Sequence, residues 1–290
     1  MNCQQGKIIK GIGGFYYILG EDGKLYTVKA KKKLKHKGLT PTVGDNVSFR
    51  PGQGEQDGWL EDILARKNLL VRPPVSNIDT LCIVICAVPK PDYLMLDLLL
   101  IAAHQYLIEP IIVYNKSDIS LDEGLAAYQQ SGLKCFPVSA LQGEGLDALK
   151  AELYHKNICM AGQSGVGKST LINALLGTSL ATGDISRIER GRHTTRHVEI
   201  HCKDGISIFD TPGFSVLELV KDMPAEEIQN YYPELAEYRG KCRFMPCLHL
   251  SEPGCAVQEA VRKGRLSAER IARYRRLVEQ AIENRRTKYD

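Results

Sequence analysis

The chain has 290 residues, of which 43% are hydrophobic and 25% charged, with a formal net charge of +4 and nine cysteines. This length suits two or three compact units, and the composition is that of a globular protein, which confines disorder to short loops and the ends. Apolar runs such as residues 81–88 are too short to span a bilayer, residues 1–10 lack a signal-peptide pattern, and the odd cysteine total argues against a fully paired disulfide framework.

Residues 1–70 read as all-β. Phe15, Tyr17 and Leu19 alternate before the turn-like Gly20-Glu21-Asp22-Gly23, and Leu25 and Thr27 resume beyond it. Val43, Val47 and Phe49 mark another short strand region, followed by a Gly-rich segment and then Trp59 and Ile63. Several short strands in so few residues predict a small barrel, with the OB-fold the leading candidate. Lys29, Lys31, Lys32, Lys33, Lys35 and Lys37 form a basic zone here.

Residues 71–220 change character. Strand-like runs at 80–88, 111–114, 134–138 and 157–161 alternate with helical stretches near 91–104, 122–131, 145–154 and 168–176. Two further strands are expected at 196–201 and 206–209. Apolar strands alternating with helices predict an open α/β sheet covered on both faces. Cys82, Cys86, Cys135 and Cys159 fall in these runs and read as buried thiols, which fits a reducing cytoplasm.

Residues 221–290 hold a Cys/His cluster and a basic tail: Arg262, Lys263, Arg265, Arg270, Arg273, Arg275, Arg276, Arg285, Arg286 and Lys288. Ile271, Tyr274 or Arg275, Val278 and Ile282 recur at helical spacing with basic residues interspersed, which predicts an amphipathic helix with one side on the protein and the other offered to RNA. Two separated basic zones suit an extended polyanion.

Gly162-Gln163-Ser164-Gly165-Val166-Gly167-Lys168-Ser169, followed by Thr170, satisfies the full G-x-x-x-x-G-K-S pattern between a predicted strand and a predicted helix. Backbone N–H groups and the helix N-terminus can surround phosphates, Lys168 reaches the β/γ oxygens, and Ser169 is the expected Mg²⁺ ligand. Asn115-Lys116-Ser117-Asp118 and Ser139-Ala140 each follow another strand. The Asp118 carboxylate can accept guanine N1–H and the exocyclic amine, whereas adenine offers a different edge. Asn115 would brace the loops and the Lys116 stem would lie over the ring, so this pairing predicts selectivity for GTP and GDP.

Asp210-Thr211-Pro212-Gly213 follows a further strand, with Asp210 placed to organise Mg²⁺ and the Gly213 amide to sense a γ-phosphate. In Gly191-Arg192-His193-Thr194-Thr195-Arg196, a threonine can complete the Mg²⁺ shell, and Thr195 is preferred over Thr194. Cys242, Cys247, His249 and Cys255 form C-x4-C-x-H-x5-C, a tetrahedral Zn²⁺ set whose four protein ligands imply a closed structural site.

The guanine-reading motifs precede the phosphate loop, a rotated order that resembles the circularly permuted GTPases of the ribosome small-subunit-dependent GTPase A (RsgA-like) family. The resemblance implies an OB-like barrel at 1–70, a permuted GTPase domain at 71–220 and a zinc-binding, mostly helical unit at 221–290. It implies a monomeric, cytoplasmic GTP hydrolase stimulated by the small ribosomal subunit, binding its rRNA late in maturation. Phe214 follows Gly213 and cannot orient water through a side-chain amide. The resemblance assigns that task to His193, with Lys168 and Mg²⁺ stabilising the developing charge. The competing expectation is a nucleotide-controlled ribosome-binding module with incidental hydrolysis.

Overall fold

The computed structural model describes residues 3–31, 33–34, 38–52, 57–71, 74–120, 124–178, 198–210 and 223–289, the side chains of Asp210, Lys288 and Tyr289 excepted. The chain opens with β1 (Gln4–Ile12), β2 (Phe15–Gly20), β3 (Leu25–Ala30), β4 (Asn46–Arg50) and β5 (Gly58–Ile63). They close in the order β1-β2-β3-β5-β4-β1, with β3 and β5 parallel and the other pairs antiparallel. This is the five-stranded OB barrel.

Its core is Ile8, Ile18, Val28, Val47, Phe49 and Leu60. The inward phase of β2 therefore runs through Ile18, while Phe15, Tyr17 and Leu19 sit on the half-buried outer phase. A tyrosine can keep its hydroxyl wet while its ring covers apolar surface, and the aliphatic Ile18 takes the dry position. Val43, expected in a strand, makes an isolated bridge to Val75.

A short hairpin of β6 (Leu69–Val71) and β7 (Pro74–Ser76) leads out of the barrel. Fully buried Asp45 joins the two regions: Arg66 Nε and Nη2 donate to its two oxygens at 2.7 and 2.8 Å, and Ser76 Oγ donates at 2.7 Å.

The second region contains β8 (Thr80–Ile85), β9 (Glu109–Tyr114), β10 (Cys135–Pro137), β11 (Asn157–Ala161), β12 (Glu199–Lys203) and β13 (Ile206–Asp210). Their spatial order is β10-β9-β8-β11-β13-β12; β12 is antiparallel to β13 and the rest are parallel. The chain thus enters this sheet at a central strand, β8. Cys82, Val84, Ile111, Val113, Ile158 and Ile208 face α3 (Leu146–Leu153) and α4 (Lys168–Leu176). Leu81, Ile83, Ile112, Tyr114, Cys159 and Phe209 face the other way, toward α1 (Tyr93–Gln105) and α2 (Leu125–Gln130). Burial on both faces is why these strands read as unbroken apolar runs. Of the four predicted buried thiols, Cys82, Cys86 and Cys159 are buried and Cys135 is partly exposed.

The strand expected at 80–88 ends at Ile85. There the Cys86 thiol donates to Val88 O at 3.0 Å, and the chain passes through Pro89 and Pro91 into α1. Asp92 caps that helix by accepting the Met95 N–H at 3.0 Å. At the opposite edge of the sheet, Lys10 of β1 pairs in register with Glu199 of β12 and forms a 2.7 Å ion pair with it, so barrel and α/β sheet are hydrogen-bonded into one array.

The C-terminal region comprises α5 (Ala225–Ile228), two 3₁₀ turns (Gln229–Tyr231 and Pro233–Tyr238), α6 (Ala256–Arg262) and the long α7 (Ala268–Tyr289). It covers the side of α1 that the sheet leaves open, and residues 96–103 of α1 are all buried as a result. Within that apolar helix sits Asp97, fully buried. It accepts from Arg270 Nη1 at 2.5 Å, Arg273 Nε at 2.8 Å and Tyr128 Oη at 2.7 Å. Arg270 also bonds Glu234 and lies over the rings of Tyr128 and Tyr232, at 4.4 and 4.7 Å. Arg275 Nε donates to His249 O at 2.9 Å.

This corrects the expectation that the basic residues of α7 face solvent. Arg270 and Arg273 turn inward, where carboxylates and a phenol satisfy their guanidiniums, while Arg275, an alternative to Tyr274 on the packed stripe, does lie against the protein. Arg265, Arg276, Arg285 and Arg286 remain exposed.

Candidate functional site

The loops carrying the sequence motifs leave the C-terminal ends of adjacent parallel strands, the edge at which open α/β sheets gather ligands. Gly162 follows β11, Asn115 follows β9, Val138-Ser139-Ala140 follows β10, and Asp210 is the last residue of β13.

Buried Asn115 joins three of these segments. Its Nδ2 donates to Val166 O at 2.9 Å, its Oδ1 accepts the Ala140 N–H at 3.1 Å, and its own N–H donates to Ile85 O at 2.8 Å. Ser117 N–H donates to Val138 O at 3.1 Å. Lys116, at φ +60°, reaches across with its ammonium to Val88 O and Gly165 O, both at 2.8 Å. Asp118 stands exposed beside these contacts. The fully buried Ser139 forms its own tight turn, accepting the Gln142 N–H at its hydroxyl and the Gly143 N–H at its carbonyl.

Two glycines make this packing possible. At Gly162 (φ +139°) a Cβ would lie 2.2 Å from Val84 O, and at Gly167 (φ +92°) it would lie 2.4 Å from Asn115 Nδ2. Any side chain at either position would push the loop off β8 or off the asparagine. The loop then runs into α4 with no side-chain cap on the first turn. Its amides at that end are a ready anion site. Lys168 curls back so that its ammonium donates to Gly162 O and Gln163 O, each at 2.7 Å. Ser164 and Gly165 are exposed, Val166 is fully buried as the anchor of the loop, and Ser169 and Thr170 are half-buried at the start of α4.

The structure therefore brings together Asn115, Lys116, Ser117, Asp118, Ser139, Ala140 and the run from Gly162 to Thr170, with the backbone of Asp210 on the strand next to β11. His193, Thr194, Thr195, Gly213 and Phe214 lie outside the described residues. One contact that the sequence did not suggest is Gln163 Oε1 accepting the Asp92 N–H at 3.0 Å, which ties the phosphate loop to the cap of α1.

Cys242, Cys247, His249 and Cys255 converge, with all four potential ligand atoms within 4.8 Å of one another. His249 Nδ1 lies 3.6 Å from Cys242 Sγ and 3.3 Å from Cys255 Sγ. Its Nε2 faces Gln229 Oε1 at 3.3 Å, a partner that fixes the ring with Nδ1 inward. Burial lowers the imidazole pKa and favours the neutral, ligating form. Burial also pushes the Cys247 thiol up to about 12, with the neighbouring sulfurs adding to the rise. Crowded buried thiols of this kind become thiolates readily only beside a cation, and three sulfurs with one imidazole nitrogen fit a tetrahedral ion. Arg275 and Tyr274, donating to His249 O and Leu248 O, fasten the cluster to α7.

The RsgA GTPase family model matches residues 63–220, and the RsgA N-terminal domain model matches residues 5–60. The chain belongs to the RsgA GTPase family. It is 40% identical to the small ribosomal subunit biogenesis GTPase RsgA of Caldanaerobacter subterraneus subsp. tengcongensis, covering 98% of both chains. With the protein of the same description from Agathobacter rectalis it shares 41% identity, over 97% of this chain and 98% of the relative. Among solved structures, YjeQ from Thermotoga maritima superposes with a TM-score of 0.81 at 30% identity, over 97% of this chain and 99% of that one. YloQ, described as a circularly permuted GTPase, gives 0.79 at 33% identity, over 97% and 96% of the two chains. The OB barrel, permuted P-loop core and helical region with a Cys₃His cluster are thus the architecture of this RsgA family member.

Proposed function

We propose that this chain is a GTP hydrolase that acts on the immature small ribosomal subunit, binds its rRNA and is stimulated by it. The observation that carries this reading is the Asn115 junction, where a phosphate loop and a guanine-type N-K-x-D loop are locked together, in a chain related end to end to small-subunit biogenesis GTPases. Among the described residues no helix is long and apolar enough to cross a membrane. Action as a cytoplasmic monomer is part of the proposal.

In this mechanism Asp118 accepts the guanine N1–H and amine, and the Lys116 stem covers the ring. The amides from Gln163 to Ser169 surround the phosphates, with Thr170 beside them, and the Gly213 amide senses the γ-phosphate. Lys168 neutralises charge on the β/γ oxygens. Ser169, Thr195 and Asp210 offer the hard oxygen ligands suited to Mg²⁺, which would supply further charge neutralisation at the phosphates. His193 orients the attacking water, since Phe214 has no group that can. The Cys₃His cluster would hold one structural Zn²⁺ and stabilise the loop at 242–255 that is fastened to α7.

The test is GTP turnover with and without purified small subunits, for the wild type and for Lys168→Ala and His193→Ala. The proposal expects stimulation by the subunit in the wild type, loss of nucleotide binding in the first variant, and loss of stimulated turnover with retained GTP binding in the second. Full subunit binding without stimulated turnover in the wild type would identify a nucleotide-controlled binding module instead. Unchanged stimulated turnover in His193→Ala would remove that residue from catalysis.

A further inference from the structure

Between Cys242 and Cys247 the chain runs Arg243-Phe244-Met245-Pro246, and all four residues point into solvent. Phe244 is 51% exposed and Met245 67%. Two adjacent large apolar side chains held in water are unfavourable for folding, and a loop tip of ordinary function would carry polar residues there. This tip is not slack. Arg243 N–H donates to Gly254 O at 3.1 Å, Cys242 Sγ accepts the Ala256 N–H at 3.4 Å, and both ends of the tip are members of the converging Cys₃His cluster.

The surrounding charge identifies what the tip meets. Arg239, Lys241 and Arg243 are all exposed and alternate along the approach to it. Glu237 is the counter-charge nearby, at 4.0 Å from the Lys241 ammonium, too loose to cancel three cations. The Arg243 guanidinium sits over one face of the Phe244 ring, 5.3 Å from its centroid. That contact holds the ring in place and leaves half of the residue's surface open.

We propose that this tip is a stacking finger for an unpaired nucleotide of RNA, with Phe244 and Met245 receiving the base and Arg239, Lys241 and Arg243 the flanking phosphates. An aromatic face bordered by cations matches a base flanked by phosphates, whereas a helical stem hides its bases and would be met by charge alone. The choice of RNA rests on the function proposed above, and the finger adds a point of contact that the basic zones of the sequence did not include.

The experiment uses the full zinc-loaded chain with a nonhydrolysable GTP analogue and purified small subunits. Phe244→Ala, Phe244→Tyr and Arg243→Ala are compared with wild type for subunit affinity, zinc content, GTP affinity and ultraviolet cross-linking of the tip to RNA. Phe244→Ala is expected to weaken subunit binding by roughly tenfold or more, the loss that accompanies removal of one stacked base. Zinc content and GTP affinity stay at wild-type values, Phe244→Tyr restores binding, and the cross-link disappears in the alanine variant. Wild-type affinity in Phe244→Ala overturns the finger while leaving the proposed function standing. A cross-link to a ribosomal protein in place of RNA also overturns it. Failure of the wild-type chain to bind small subunits at all would overturn the function and the finger together.

Discussion

Replacing Asp97 with alanine removes a fully buried carboxylate that receives Arg270, Arg273 and the Tyr128 hydroxyl. Breaking a buried ion pair from one side costs about 3–5 kcal/mol, because the surviving charge stays desolvated. Here the two arginines fare differently. Arg270 keeps Glu234 and its two tyrosine rings, and the Arg273 side chain is 19% exposed and can recover some water. The lower end, about 3 kcal/mol, is therefore the expected cost, concentrated where α7 meets α1. Because the chain has several units, a single melting temperature would blur this loss, and amide hydrogen exchange resolved by segment is the right assay. Protection of α7 should fall by about two decades, since each 1.4 kcal/mol is a factor of ten, while β8 and β11 keep theirs. The double variant Asp97→Leu with Arg270→Met should not recover the loss, because it leaves Arg273 without its carboxylate and the largely buried Glu234 without its guanidinium. Unchanged α7 protection in Asp97→Ala would refute the reasoning.

Asn115→Ala leaves Val166 O and the Ala140 N–H without their partner, at about 1–3 kcal/mol for each buried group. The affinity for a fluorescent GTP analogue should fall by at least about tenfold, and a change within threefold would count against the three-loop junction. Chelation of zinc, or Cys255→Ser, should expose residues 223–289 to limited proteolysis while GTP binding survives; resistance to both would separate the cluster from the folding of that unit. Lys134 lowers the Glu109 carboxyl pKa through a hydrogen bond and Lys156 does the same for Glu152. A depressed carboxylate stabilises the fold above its ordinary value of 4.5 and loses that contribution as pH falls through its lower folded value. Acid titration of Lys134→Met should therefore show unfolding at a higher pH than wild type, and superimposable titrations would dismiss the network.

The nucleotide motifs were legible because their chemistry is local: each is a short run directly after a strand, and the phosphate loop keeps glycine where no side chain fits. The Cys₃His cluster was legible for the same reason, its ligands lying within fourteen residues. Partner choice over long separations was not. Asp97 and Arg270 are 173 residues apart, so nothing in the tail distinguished arginines that clamp α1 from arginines that face solvent. One signal was present: a lone carboxylate in the apolar run of α1 demands a buried cation from somewhere. The phase of β2 was misleading because tyrosines satisfy either side of a small barrel. Gln229, which holds the imidazole of His249, lies 20 residues away in a separate turn and carried no motif.

The register pair Lys10–Glu199 has a further consequence. A sheet of parallel strands ends in rows of unpaired amides and carbonyls that invite another chain to add on. In this protein β12, the outermost strand on one flank, lends its end to β1, and β1 belongs to a closed barrel that has no free flank to offer. The other flank ends in β10, three residues long and finished by Pro137, which cannot donate to an added strand. At the Glu199 end of β12 the barrel thus also blocks intermolecular strand addition. A chain truncated before the α/β sheet would bare that end of β12 and be expected to self-associate more readily even with its nucleotide loops intact.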